Sequence, residues 1–169
     1  MLIQDYIATW AFNFQAIKTI LAEALSDVLV LIEHIGSTAV PGLAAKPIID
    51  IDIIFENNTD FNTIKNRLES IGYYHNGNQG IMNRDVFKRA NESTKHTVLD
   101  SVTHHLYVCP AHSEELKRHL LFRNYLRTNE DARNEYQQLK LSLAQEVDHN
   151  QKLYAQLKEE KARPFIEQD

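Results

Sequence analysis

Two aspartates, two residues apart inside an aliphatic run, constrain this chain more than any other feature. Residues 48–55 read IIDIDIIF, with the length and β-branched content of a strand. Strand side chains alternate between faces, so Asp50 and Asp52 project from one side while Ile49, Ile51 and Ile53 pack inward on the other. Two carboxylates on one side of a buried strand repel each other and lose hydration, a cost of several kcal/mol per ion in a low-dielectric interior. Such a pair is expected to share a cation. A hard divalent ion, Mg²⁺ above all, suits it, because Mg²⁺ is typically held by one or two carboxylates together with waters and substrate phosphates.

The preceding run, HIGSTAVPGLAAKP from His34 to Pro47, supplies a seat for those phosphates. Gly36 lets the backbone approach closely, and the hydroxyls of Ser37 and Thr38 stand beside exposed N–H groups. Pro47 excludes Lys46 from helix and leaves it extended at the mouth of the aspartate strand. Strand, Gly-Ser turn and Asp-x-Asp strand together form a layout for phosphate plus metal. A plainer reading, in which Asp50 and Asp52 merely pair with Lys46 and Arg84 to support the fold, would not require the Gly-Ser turn beside them.

The rest of the chain is expected to build an α+β domain around this core. Ile7, Trp10, Phe14, Ile17, Leu21 and Leu25 recur at helical spacing over residues 4–25, an amphipathic helix for one face of the sheet. Residues 28–34 read as the first strand. A second helix runs from Thr59 or Asp60 to about Ser70, with Gly72 as its stop. Residues 73–80 read as a hairpin tip or loop over the site, and residues 82–89 as a strand in which Arg84 and Lys88 share parity and could clamp phosphate. Residues 97–109 are expected to form one long strand whose polar face carries His105 and Tyr107. From Ser113 onward the pattern predicts helices over 113–127, 131–148 and 151–163. Of the basic residues there, Arg123, Arg127 and Lys140 are candidates for the helical wall of the cleft.

Size and charge narrow the partners. At 169 residues, 43% hydrophobic and 24% charged, the chain fits one domain over 1–169. A net charge of −5 with no dense Lys/Arg block argues against bulk nucleic acid, whose backbone demands a basic patch. Cys109, the single cysteine, cannot form an internal disulfide and reads as a packed small hydrophobe. No signal peptide and no membrane-length apolar run is evident, so a cytoplasmic location and no membrane partner are expected. Homo-oligomerisation stays open.

The Gly-Ser turn followed by Asp-x-Asp resembles the nucleotidyltransferase fold of the DNA polymerase beta and kanamycin nucleotidyltransferase type. The intervening segment from Ser37 to Pro47 is similar to the signature of the GrpB family within that superfamily. Trp10, the segment from Asn83 to Lys88, the strand His104 to Val108, the run Leu121 to Arg127, Glu135-Tyr136 with Lys140, and Tyr154 with Lys158 extend the resemblance over nearly the whole chain. It implies a nucleotidyltransferase-like small mixed sheet with an N-terminal helix and a C-terminal helical layer. Two departures stand out: the strand expected to carry a third carboxylate offers His105, and Tyr107 stands where the family tends to have histidine.

Two functions follow as expectations. In the first, Asp50 and Asp52 hold Mg²⁺. Gly36, Ser37 and Thr38 cradle the phosphates of a nucleoside triphosphate or other phosphorylated small molecule, and Lys46, Arg84 and Lys88 neutralise them. His105 then serves as third ligand or general base in transfer of a nucleotidyl or phosphoryl group to a small molecule. In the second, the same pocket binds a nucleotide, phosphate or coenzyme A-type ligand without turnover.

Overall fold

The computed structural model describes residues 3–90, 95–146 and 151–166. Helix α1 (Thr9–Ala24) precedes strand β1 (Val30–Ile35), a single 3-10 turn (Ser37–Ala39) and strand β2 (Ile49–Phe55). Helix α2 (Phe61–Ser70), the hairpin strands β3 (Tyr73–His75) and β4 (Asp85–Arg89), a short helix α3 (Thr97–Ser101) and strand β5 (His104–Pro110) follow. Three long helices close the chain: α4 (Glu114–Thr128), α5 (Glu130–Glu146) and α6 (Gln151–Ile166). The five strands form one mixed sheet in the order β1-β2-β5-β4-β3, with only the β2/β5 pair parallel.

Alternation along β2 divides the molecule into layers. Ile49, Ile51 and Ile53 face Trp10, Phe14, Ile17 and Leu21 of α1 and Ile64 and Leu68 of α2 in the main core. The opposite face takes Ile54 and Cys109 against Leu116 of α4. Helices α4 and α5 also enclose the connection after β1, where Val40 and Leu43 pack against Phe122, Leu126 and Tyr136. Tyr154 of α6 packs with Ile3, Ala44 and Leu143. Burying a Leu, Ile or Phe side chain contributes about 1.5–3 kcal/mol, so these contacts fix the C-terminal helices over the polar face of the sheet. No helix among the described residues is long and apolar enough to cross a membrane.

The structure departs from sequence expectation in three places. Residues 97–101 form a helix instead of extending β5, because local polar groups outweigh their β-branched content: the His96 ring accepts from the Val98 and Leu99 N–H groups, and Asp100 pairs with Arg89 at 2.9 Å. Residues 73–75 are a strand, and the connection begins only at residue 76. Finally, β4 starts at Asp85, so Arg84 lies in the loop before it and does not share a strand with Lys88. Residues 147–148 of the helix expected over 131–148 lie outside the described residues.

Candidate functional site

The site is built by the register of β2 against its neighbours. Ile35 at the end of β1 pairs with Asp50, and parallel pairing places His105 beside Asp50 and Tyr107 beside Asp52. Both aspartates, His105 and Tyr107 therefore share one face of the sheet. The chain leaves β1 through Gly36 at φ +75°, and a Cβ there would lie 2.6 Å from Asp50 Oδ2. Glycine is required at this position for two reasons: the backbone conformation, and the carboxylate pressed against it.

The aspartates have different partners. His105 Nδ1 lies 3.0 Å from Asp50 Oδ1, at the exposed edge of the site. Asp52 is fully buried, and its Oδ2 accepts from His119 Nδ1 of α4 at 2.7 Å. The other ring nitrogen of His119 faces Glu115 Oε1 at 3.3 Å. A ring placed between two carboxylates must donate from both nitrogens, so His119 is an imidazolium. Burial opposes that charge, but the hydrogen bonds to Asp52 and Glu115 outweigh it and raise the pKa to about 9. Burial in turn pushes the Asp52 carboxyl up, against the pull of His119. In the protein alone, each aspartate is thus met by its own histidine, and only the one on Asp52 is shown to carry charge.

Above this floor lies a cavity of about 370 Å³ between the Gly36–Thr38 turn and helices α4 to α6. Its lysines come from three places: Lys46 from the loop before β2, Lys140 from α5 and Lys158 from α6. Lys140 is almost fully buried and donates to the Ala44 carbonyl at 2.6 Å. Burial, then the charges of Lys158 and Lys46, drive its pKa well below the ordinary lysine value. Burial also lowers Lys46 and Lys158. Lys46 stands over the Tyr154 ring, 5.1 Å from its centre. Opposite, the Arg84 guanidinium lies over Tyr107 at 4.7 Å.

Four buried side-chain polar atoms among the described residues have no partner: Asp52 Oδ1, Arg84 Nε, Arg118 Nε and Tyr154 Oη. Arg84, Arg118 and Tyr154 all line this cavity, and Asp52 lies in the sheet beside Tyr107 of its lining. Buried polar groups are nearly always satisfied, so such a concentration points to a ligand or ion. The donor set fits Mg²⁺ in part. Asp50 and the free oxygen of Asp52 are hard oxygen ligands, and phosphates with water would supply the rest. No group of three or more His, Cys, Asp or Glu among the described residues is arranged to hold a metal by itself.

Of the residues singled out by sequence, Gly36, Ser37, Thr38, Lys46, Asp50, Arg84, His105, Tyr107 and Lys140 line the cavity. The Thr38 hydroxyl is already committed: it donates to the Ile48 carbonyl and accepts from His34 Nε2. Arg123 does not reach the cleft. It is buried as a brace for β1, donating to Glu33 at 2.6 Å and to the His34 carbonyl at 3.0 Å. Arg127 likewise holds the Ala39 carbonyl at 2.8 Å. Lys88 lies outside the lysine cavity, in a neighbouring hollow. Sequence reasoning missed His119, Glu115, Arg118 and Lys158 as lining groups. Glu115 and His119 are four apart on α4, a spacing that puts them on one helix face, but nothing local in sequence aims that face at Asp52.

A model of the family described as GrpB protein matches residues 1–168. The chain belongs to the GrpB family. It is 32% identical to the glutamate-rich protein GrpB of Alkalihalophilus pseudofirmus over 154 residues, covering 89% of this chain and 85% of the relative. It is also 32% identical to the UPF0157 protein YqkA of Bacillus subtilis over 155 residues, covering 92% of this chain and 43% of that relative, which is thus more than twice the length matched. Among solved structures, the conserved protein GrpB from Enterococcus faecalis superposes with a TM-score of 0.77 at 30% identity, covering 98% of this chain and 97% of the other. The Cid1 poly(U) polymerase with bound MgGTP superposes with a TM-score of 0.58 at 16% identity over 83% of this chain and 44% of that one. The fold of this GrpB-family chain is therefore that of nucleotidyltransferases.

Proposed function

We propose that the protein binds a magnesium nucleoside triphosphate, or a comparable phosphorylated small molecule, and transfers a nucleotidyl or phosphoryl group from it to a small acceptor. The observation that carries this reading is the convergence of unpartnered polar atoms on a cavity with three lysines beside the Gly36–Thr38 turn. A polyanion would complete Arg84, Arg118 and Tyr154 and relieve the repulsion among Lys46, Lys140 and Lys158.

Asp50 and Asp52 Oδ1 would hold Mg²⁺, which supplies charge neutralisation at the transferring phosphorus. The chain does the rest. Gly36 allows the close approach, and Ser37 offers a hydroxyl. The lysines receive the charge that grows on the leaving phosphates. For nucleotidyl transfer, an acceptor oxygen or nitrogen forms a bond to the α-phosphorus while the bond from that phosphorus to the bridging oxygen breaks. Pyrophosphate departs, and the acceptor proton passes to His105 Nε2, whose Nδ1 is held by Asp50.

A second reading is favoured by one observation: β5 offers His105 and Tyr107 where a third carboxylate would stand, so the site binds its ligand without turnover. Thermal melts with nucleoside triphosphates, with and without Mg²⁺, followed by mass spectrometry of the nucleotide, separate the two. Transfer predicts a consumed nucleotide and its loss in Asp50→Asn/Asp52→Asn. Stabilisation with no consumed nucleotide supports the binder, and no stabilisation rejects both.

A further inference from the structure

A second hollow, of about 500 Å³, is also lined by His105 and Tyr107. These two residues line both spaces, so they form a shared wall. The connection from β3 to β4 reaches both as well: Ile81 and Arg84 line the lysine cavity, and Gln79 lines the second hollow. Gln79 holds φ at +53° between Gly77 at +68° and Gly80 at +85°, and Asn83, three residues further on, holds +58°. Non-glycine residues in this region are uncommon, and two of them stand in the connection that lines both spaces.

The charges in the second hollow are unevenly committed. Arg89 pairs with Asp100, donates to the Ile71 carbonyl and lies over the Tyr73 ring. His104 donates from Nδ1 to the Val102 carbonyl, which leaves Nε2 to accept from the Tyr73 hydroxyl. Burial lowers its pKa and keeps it neutral. Lys88 is exposed, and its ammonium makes no ion pair or hydrogen bond among the described residues. One uncommitted ammonium therefore remains in a space whose other strong charges cancel.

We infer that this second hollow is the acceptor subsite, taking a small anionic molecule whose carboxylate or phosphate is held by Lys88 and whose nucleophile points to His105. The inference rests on the transfer reading above. Two reactants must meet within about 3–3.5 Å at their reacting atoms, and the His105–Tyr107 wall is where the two spaces adjoin. A lysine suits the anchoring role because its ammonium is a mobile point charge that accepts either anion.

The test is an NMR titration of the full-length, ¹⁵N-labelled protein kept saturated with inorganic tripolyphosphate to fill the lysine cavity. Three probes with one carbon skeleton are added in turn: glycerol 3-phosphate, glycerate and glycerol. Saturable shifts at Gln79, Val86 and Lys88 are expected with the two anions and not with glycerol. Lys88→Met, which keeps the aliphatic stem, is expected to weaken the anions at least tenfold while leaving tripolyphosphate binding unchanged. A response to one anion alone identifies its class and supports the assignment. Equal response to all three probes, no response in the hollow, or anion binding unaffected by Lys88→Met would overturn it. If the hollow binds anions but Asp50→Asn/Asp52→Asn changes no turnover, the transfer reading fails while the subsite stands as a binding site.

Discussion

Replacing Gly36 by alanine tests the geometry on which the site depends. At φ +75° and ψ −174°, the residue occupies a backbone region open in practice only to glycine, and holding alanine there costs about 1–3 kcal/mol. The new Cβ would also stand 2.6 Å from Asp50 Oδ2, so the carboxylate must rotate away and its contact with His105 is lost, worth about 1 kcal/mol at a partly exposed site. Together these give a loss of about 2–4 kcal/mol, or about 5–15 °C in Tm for a domain of this size. Urea denaturation of wild type, Gly36→Ala, Asp50→Ala and the double variant separates the two parts. Without the carboxylate, the double variant should recover the clash but not the backbone strain, giving a coupling energy of about 1 kcal/mol. The Cβ of Asp50, 3.3 Å from the added methyl, remains and limits the recovery. A Gly36→Ala protein within about 0.5 kcal/mol of wild type would refute the reasoning.

Further outcomes follow from the same site. Burial lowers the His34 pKa to about 4. The unfolded chain then binds the proton first, and about 3 kcal/mol of stability should be lost as pH falls from 6.5 through 4; urea midpoints against pH measure it. His119 has the opposite sign: its pKa near 9 gives a contribution fully present below pH 6.5 and lost as pH rises through 9, visible as a falling midpoint in the same series. His119→Ala strands Asp52 and Glu115 and should cost about 3–5 kcal/mol at pH 7, with Asp52→Asn in the same chain restoring much of it. Lys140→Met replaces a buried ammonium by an apolar stem. Relief of burial and the lost hydrogen bond to the Ala44 carbonyl should roughly offset each other, leaving the free protein within about 1 kcal/mol of wild type, while calorimetry shows tripolyphosphate binding weakened about tenfold.

The sheet core was legible because its signals are local. Alternation in β2 identified which isoleucines pack inward and which acids share a face, and Pro47 with the Gly-Ser pair marked the turn that precedes it. The reading failed where a side chain decided the local structure from outside the pattern. Asp100 and His96 turned residues 97–101 into helix, which moved the start of β5 to His104, and the late start of β4 at Asp85 separately removed the strand parity assumed for Arg84 and Lys88. Arg123 and Arg127 were sorted by charge toward the cleft, yet each is aimed at β1 or the following turn by the α4 backbone. Only the packing of α4 against Ile54 and Cys109 fixes that direction.

His119 shows why the electrostatics were least legible. Sixty-seven residues separate it from Asp52, and no periodic or spacing rule links them. The link is made by apolar contacts: Leu116, three residues earlier on α4, buries against Ile54 and Cys109, and that seating turns Glu115 and His119 over Asp52. The repulsion between two nearby acids is thus resolved without binding them both to one group. Asp52 is given a buried imidazolium, and Asp50 an exposed histidine at the cavity mouth. Asp50 therefore stays within reach of a ligand, while one oxygen of Asp52 is left with no partner. A site meant only to stabilise the fold would satisfy that oxygen, yet among the described residues it is one of four buried side-chain polar atoms left without a partner. Leaving it open costs stability in the free protein, and in the function we propose a cation bound with a phosphorylated ligand would recover that cost.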